Sequence, residues 1–123
     1  MSQKSFIAIV DDDESAREGT LDLLRSIGFA AEMFGDATEF LHSDHAHLTS
    51  CLIADVQMPG MTGLELHRQL LSSGKNIPTI LITAFPDERD RKRAMGAGVI
   101  CYLTKPYREQ DLLRCIRTAL SAT

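Results

Sequence analysis

Four acidic residues in a row, Asp11, Asp12, Asp13 and Glu14, follow the apolar run Phe6-Ile7-Ala8-Ile9-Val10. Carboxylates packed this densely repel one another, and a hard divalent cation relieves the repulsion. Mg2+ suits such a place, because it takes oxygen ligands, uses one or two carboxylates and keeps several waters. A further acid, Asp55, closes the apolar run Cys51-Leu52-Ile53-Ala54, Thr83 closes Pro78-Thr79-Ile80-Leu81-Ile82, and Thr104-Lys105 follows Val99 to Leu103. A lysine and a hydroxyl beside a cation-bearing acidic cluster suit a phosphoryl group. Singly, each residue has an ordinary alternative. The acidic run would cap a helix and favour its dipole, Asp55 would cap the turn before Met58-Pro59-Gly60, Thr83 would bond locally at a strand end, and Lys105 would be solvated. The functional reading depends on all of them meeting at one edge.

The period of the apolar residues says how they would meet. Five short apolar runs, at 6–10, 29–34, 51–55, 78–83 and 99–103, read as strands and alternate with amphipathic segments. The first helix is predicted from Glu14 to Ile27, with Ala16, Thr20, Leu23, Leu24 and Ile27 inward and Gly28 ending it. A short helix from Asp36 to Ser43 has Asp36 as its cap, and Thr62 with Glu65 forms a capping box for a helix running to Ser73. Pro86 is placed in the first turn of the fourth helix, which Gly96 and Gly98 close. The last helix runs from Glu109 to Ser121, with Leu112, Leu113, Ile116, Ala119 and Leu120 inward. Strands apolar on both faces and separated by helices imply an α/β fold, a five-stranded parallel sheet with helices on both faces. Sites in open parallel sheets form at the carboxyl ends of the strands, where Asp11, Asp12, Asp55, Thr83 and Lys105 all fall.

The chain has 123 residues, 17 acids and 13 bases. Removing the four consecutive acids leaves 13, equal to the bases, so the acidity is local and the remainder is neutral. A neutral remainder argues against direct nucleic-acid binding, which needs a basic surface. A mass of 13.6 kDa is expected to form one domain over 1–123, with no output domain in this chain. The apolar runs stop far short of the roughly 20 residues of a membrane span. Nothing at the N-terminus has the pattern of a signal peptide, and three cysteines without motif spacing fit a reducing cytoplasm better than a disulfide framework. Cys51, Cys101 and Cys115 are therefore expected as small core or boundary residues, and His67 at the surface or its boundary.

Four segments together carry a family resemblance: Val10-Asp11-Asp12-Asp13, Ala54-Asp55-Val56-Gln57-Met58-Pro59-Gly60-Met61-Thr62-Gly63, Ile82-Thr83-Ala84 and Lys105-Pro106-Tyr107. In this order and at these spacings, the chain resembles the receiver domain of bacterial two-component response regulators over essentially its full length. Its wording is most similar to receivers of the nitrogen-fixation regulator type. The resemblance implies a flavodoxin-like doubly wound fold with strand order 2-1-3-4-5. It implies that Asp55 accepts a phosphoryl group from a histidine kinase or phosphotransfer protein. Asp12 and Asp55 would ligate Mg2+ directly with the backbone carbonyl of Gln57, and Asp11 would act through water. Lys105 would pair with the phosphoryl oxygens, Thr83 would turn its hydroxyl onto them, and Tyr102 would swing inward behind it. The Lys105–Pro106 bond would be cis. The face of helix four, strand five and helix five would carry the output to a partner, or into a phosphorylation-dependent dimer. Asp13, where many relatives differ, reads as a helix cap. Gln57 and Phe85 flank the approach of a hydrolytic water, with the Phe85 ring expected to shield the site and prolong the phosphorylated state.

The implied activity is that of a switch that assists its own phosphorylation and dephosphorylation, more than that of an enzyme. A rival from another class is a Mg2+-dependent aspartate-nucleophile hydrolase. Such enzymes usually carry a second acid two residues after the nucleophile, where this chain has Gln57. A second rival is a receiver excised from a larger transcription factor. His42, His45 and His47 are of the type that binds zinc or nickel, but no acid or cysteine completes an obvious site, so they read as a surface loop. Arg89, Arg91, Lys92 and Arg93 make the fourth helix basic, either a solvated face beside Asp87, Glu88 and Asp90 or a docking surface. Gly96-Ala97-Gly98 begins like a dinucleotide fingerprint but follows a helix and precedes a strand, the reverse of the required order.

Overall fold

The computed structural model describes residues 5–121. Five strands and five α-helices alternate: β1 (Phe6–Val10), α1 (Glu14–Ile27), β2 (Ala30–Phe34), α2 (Ala37–Leu41), β3 (Thr49–Asp55), α3 (Gly63–Ser72), β4 (Thr79–Thr83), α4 (Glu88–Gly96), β5 (Cys101–Thr104) and α5 (Glu109–Ser121), with a 3-10 turn at Ala46–Leu48 before β3. The strands form one sheet in the order β2-β1-β3-β4-β5, every pair parallel. The register sets Val10 beside Ala54, Asp55 beside Ile82 and Thr83 beside Thr104. The carboxyl ends of β1, β3, β4 and β5 are therefore level, and the polar residues that follow them share one edge.

The strands are apolar throughout because both faces are covered. Ala8, Val10, Leu52, Ala54 and Leu81 face one core with Phe34, Phe40, Leu66, Leu70 and Ala94. Ile7, Ile9, Ile53, Ile80 and Ile82 face the other, with Leu21, Leu24, Leu112 and Ile116 of α1 and α5. Successive strand residues alternate between these two layers, as the period of a strand requires.

The helix ends follow local chemistry. Asp13 accepts from the Ala16 N–H at the start of α1, and Gly28 closes that helix at φ +105°, a conformation that favours glycine. Thr62 and Glu65 form the capping box of α3 in both directions. The α4 expectation is corrected at its start. The helix begins at Glu88, because the Asp87 carboxylate accepts from the N–H groups of Arg89 and Asp90, and Pro86 lies in the preceding turn. The face of α1 is also corrected. Leu21 is inward with Thr20 and Leu24, whereas Ile27 is 48% exposed. The N–H of Phe29 returns to the Leu24 carbonyl, and Phe29 packs against that core where the helix has ended. Among the described residues no helix is long and apolar enough to cross a membrane.

His67 is the largest departure from expectation. It is 3% exposed on the inner stripe of α3 with Gly63, Leu66 and Leu70, and its Nδ1 has no hydrogen-bond partner. Burial pulls its pKa below the ordinary 6.5. The unfolded chain therefore binds the imidazole proton first as pH falls. The stability tied to neutral His67 is fully present above about 6.5 and is lost as pH drops toward the depressed folded value, at a limiting rate of about 1.4 kcal/mol per pH unit. Urea denaturation of wild type and His67→Leu between neutral and mildly acid pH should show the steeper loss in wild type. Parallel pH dependences would show that His67 is not the titrating group.

Candidate functional site

The lysine after β5 reaches across the edge of the sheet to the ends of β3 and β1. Lys105 Nζ donates to Asp11 Oδ2 at 2.9 Å and to Asp55 Oδ2 at 3.0 Å. The Asp11 and Asp55 residues are 6% and 7% exposed, whereas Asp12 is exposed at the rim. Carboxylate oxygens of Asp11, Asp12 and Asp55 lie within 4.8 Å of one another. Asp12, Asp13, Asp55, Gln57, Ala84, Phe85 and Lys105 line a cleft of about 310 Å³ open to solvent.

Each side chain is held from below. The Asp13 N–H donates to Asp11 Oδ1 at 2.9 Å, and Arg17 Nη1 donates to the Asp11 carbonyl at 2.9 Å. The Gln57 N–H donates to Asp55 Oδ1 at 3.0 Å, leaving Oδ2 to Lys105. The Lys105 N–H donates to the Thr83 carbonyl at 2.7 Å, which extends the β4–β5 ladder by one bond, and the Lys105–Pro106 peptide is cis, as the resemblance implied. Gly63 is required by close approach. A Cβ there would run into the backbone carbonyl oxygen of Asp55 and press on Leu81, so the first turn of α3 sits against the acid only if that residue has no side chain.

Electrostatics leave the cluster short of positive charge. Burial raises the Asp55 pKa above its ordinary value, and the Asp11 charge adds to that, while Lys105 opposes it. Burial would lower the Lys105 pKa, but Asp11 and Asp55 outweigh it and raise it. One ammonium serves two buried carboxylates, and Asp12 adds a third negative charge. An all-oxygen donor set with surplus negative charge fits a hard divalent cation such as Mg2+.

Thr83 is fully buried, and its hydroxyl donates to Gln57 Oε1 while accepting from the Phe85 N–H at 2.9 Å. The Gln57–Thr83 side-chain bond is a contact at the cleft that sequence reasoning missed. Tyr102, half-buried on β5, packs against the core that includes Ala94 of α4, and its hydroxyl accepts from the Asp87 N–H at 3.4 Å. That bond ties β5 to the start of α4. Phe85 lines the cleft but is 73% exposed, so its ring does not cover the site as expected. A loop carries it, and Thr83 Oγ1 holds the backbone of that loop, leaving the ring unpacked.

The other candidates lie elsewhere. Nδ1 of His45 pairs with Glu32 Oε1 at 2.7 Å, a bond that raises the His45 pKa. Among the described residues the three-acid group is the only cluster of three or more His, Cys, Asp or Glu fit for a metal, so the histidine tract does not make one. Arg91 pairs with Glu88 at 3.5 Å on the exposed surface of α4. Cys51 is buried, which pushes its thiol up to about 12. Cys101 and Cys115, expected as free thiols, are joined as a disulfide. They are 14 residues apart, with no motif to mark them, and meet because α5 packs on β5.

Residues 7–117 match the model of the response regulator receiver domain. The chain is 46% identical over 118 residues to the response regulator protein TmoT of Ectopseudomonas mendocina, covering 96% of this chain and 54% of that protein. It is 39% identical over 118 residues to nodulation protein W of Bradyrhizobium diazoefficiens, covering 96% and 52% respectively. The chain thus spans about half the length of these curated relatives. Among solved structures, it superposes on the crystal structure of FixJ-N with a TM-score of 0.88 at 33% identity, over 99% of this chain and 98% of that one. The match to the low-resolution structure of the response regulator StyR has a TM-score of 0.90 at 44% identity, over 98% of this chain and 61% of that one. With the sheet order, the level strand ends and the acidic cleft already described, these matches show that the chain belongs to the receiver-domain family of two-component response regulators, signalling domains phosphorylated on aspartate.

Proposed function

We propose that Asp55 is the phospho-acceptor of this receiver. The bridge from Lys105 Nζ to Asp11 and Asp55 carries the assignment, because it places a fixed cation beside one buried carboxylate at the mouth of a cleft. A carboxylate oxygen of Asp55 attacks phosphorus, and the phosphorus–nitrogen bond to the donor histidine breaks, with the imidazole leaving. Lys105 exchanges its bond to Asp55 Oδ2 for one to a phosphoryl oxygen. Asp12, Asp55 and the Gln57 carbonyl would hold Mg2+, with Asp11 acting through water, and the bound ion supplies charge neutralisation to the incoming group. Gln57 has no proton to give a leaving group as a carboxylic acid would, which separates the site from aspartate-nucleophile hydrolases. The donor is a sensor histidine kinase or a phosphotransfer protein.

The switch runs through Thr83. Its hydroxyl leaves Gln57 Oε1 for the phosphoryl oxygens, and the Tyr102 ring moves into the space behind it. Tyr102 then releases the Asp87 N–H, which changes the start of α4 and the surface of α4, β5 and α5. That surface signals to an output partner or to a second phosphorylated copy. Intact-mass measurement with a small phosphodonor tests the chemistry. One phosphoryl adduct is expected with Mg2+ and none in EDTA, and equal uptake in both would overturn the role of the acidic cluster.

The same bond bears on lifetime. Once Thr83 has turned away, the Gln57 amide is free to orient the water that hydrolyses the acyl phosphate. Gln57→Leu removes that amide and should slow dephosphorylation by roughly threefold to tenfold, the worth of about one ordinary hydrogen bond. Phe85→Glu should change the decay much less, because the ring is already 73% exposed. Decay of the phosphorylated protein followed by intact mass checks both, and an unchanged rate in Gln57→Leu would remove Gln57 from the hydrolytic step.

A further inference from the structure

We propose that Cys101 and Cys115 form a reversible redox modification site, an internal disulfide that fastens α5 to β5 beside the switch tyrosine. Their Cα atoms are 6.1 Å apart, inside the range a disulfide spans without backbone movement. β5 pairs with β4 alone and is one of the two edge strands of the sheet, so a covalent tie to the helix above it restrains a strand supported on one side only. Cys101 belongs to the core beneath α5, and the next residue, Tyr102, belongs to the opposite core near α4. The ring closed by the bond contains Tyr102, Lys105, the cis Lys105–Pro106 peptide and Tyr107, whose hydroxyl pairs with Thr20 of α1. A redox event on one face of β5 is thus one residue from the side chain that transmits phosphorylation on the other.

The chemistry balances with a hydroperoxide as oxidant. The thiol of half-buried Cys101 releases its proton to solvent and the thiolate attacks a peroxide oxygen, breaking the oxygen–oxygen bond to give a sulfenic acid and, for hydrogen peroxide, hydroxide, which takes up a proton to become water. The thiol of Cys115 then attacks the Cys101 sulfur, the sulfur–sulfur bond forms, and a second water leaves. Both sulfurs are oxidised by one electron each, and the peroxide oxygens are reduced. A small dithiol reverses the bond by exchange. Cys51 takes no part, since it is fully buried in β3 and stands as the third, unpaired thiol.

The coupling to signalling rests on the Thr83–Tyr102 switch proposed above, whereas formation of the disulfide does not. After hydrogen peroxide, denaturation and alkylation, wild type should show one reactive thiol of its three cysteines, and all three after dithiothreitol. Cys101→Ser should keep two alkylatable thiols under either treatment, and Cys115→Ala provides the same control from the helix side. Three alkylatable thiols in peroxide-treated wild type, or a disulfide-linked dimer, would overturn the site. Amide exchange with and without beryllofluoride then reads the coupling. The response of β5 and α5 should be at least roughly twofold smaller in oxidised than in reduced wild type, and unaffected by peroxide in Cys115→Ala. Equal responses in a protein shown to carry the disulfide would overturn the coupling. Failure of both forms to respond would overturn the switch and the coupling, while the thiol count would still decide the disulfide.

Discussion

Asp55→Asn is expected to take up no phosphoryl group and, without a divalent cation, to melt at a higher temperature than wild type. The first outcome follows because an amide oxygen cannot serve as the nucleophile that Asp55 supplies. The second follows from the sign of the Asp55 perturbation. Burial, and then the Asp11 charge, raise its pKa above 3.8 despite Lys105. Between 3.8 and the raised value the folded chain holds a proton that the unfolded chain has released. Stability therefore falls as pH rises through that window. Asn at this position cannot ionise, still accepts from Lys105 Nζ through its amide oxygen, and leaves Asp11 as the one charged partner of Lys105. A gain of about 1 kcal/mol, or a Tm rise of roughly 3–6 °C, is the expected size at pH 7. Mg2+ should raise the Tm of wild type more than that of the variant, because wild type has the larger surplus of negative charge. Calorimetry in EDTA and in Mg2+ provides the measurement. A variant that melts below wild type in EDTA would mean that the Lys105 bond outweighs burial and repulsion.

The level strand ends that build the site were legible because a buried parallel strand announces itself twice. Its apolar run marks the element, and the first polar residue after it marks the carboxyl end, as at Asp11, Asp55, Thr83 and Thr104, which Lys105 follows. Contacts between side chains on segments distant in sequence carry no such mark. Thr83 and Gln57 are 26 residues apart, and sequence reasoning assigns the Gln57 amide no partner besides the hydrolytic water it could orient. Cys101 and Cys115 look unremarkable until α5 folds onto β5. His67, expected at the surface or its boundary, shares the helical stripe of Gly63, Leu66 and Leu70, so its spacing argues for burial. Phe85 failed in the opposite way. Its place two residues after Thr83 was read correctly, but no periodicity orients a side chain in a loop, and the ring stands in solvent.

Lys105→Ala should be the most destabilising single change at this edge. It removes the one ammonium that bonds Asp11 and Asp55, leaving two buried carboxylates facing each other. Breaking a buried pair by deleting one partner costs about 3–5 kcal/mol when the survivor stays desolvated. Here the lysine side chain is 18% exposed and the carboxylates 9% and 8%, so water enters the vacated space and a loss of about 2 kcal/mol is expected. The loss should shrink in an Asp55→Asn background, where the repulsion has already been removed, by about 1 kcal/mol in a double-mutant cycle. Mg2+ should recover part of it, since a cation held by the same acids takes over the neutralising role of the ammonium. Phosphoryl uptake by Lys105→Ala should remain dependent on Mg2+ but lead to a weaker change at Tyr102, because the phosphoryl oxygens lose the partner that fixes their orientation toward Thr83. Urea denaturation of the four proteins in the cycle, in EDTA and in Mg2+, decides the energetic claim. If Lys105→Ala costs the same with Asp55 or Asn at the acceptor position, the lysine is not coupled to the acceptor, and the bridge from β5 to β3 is not what organises the site.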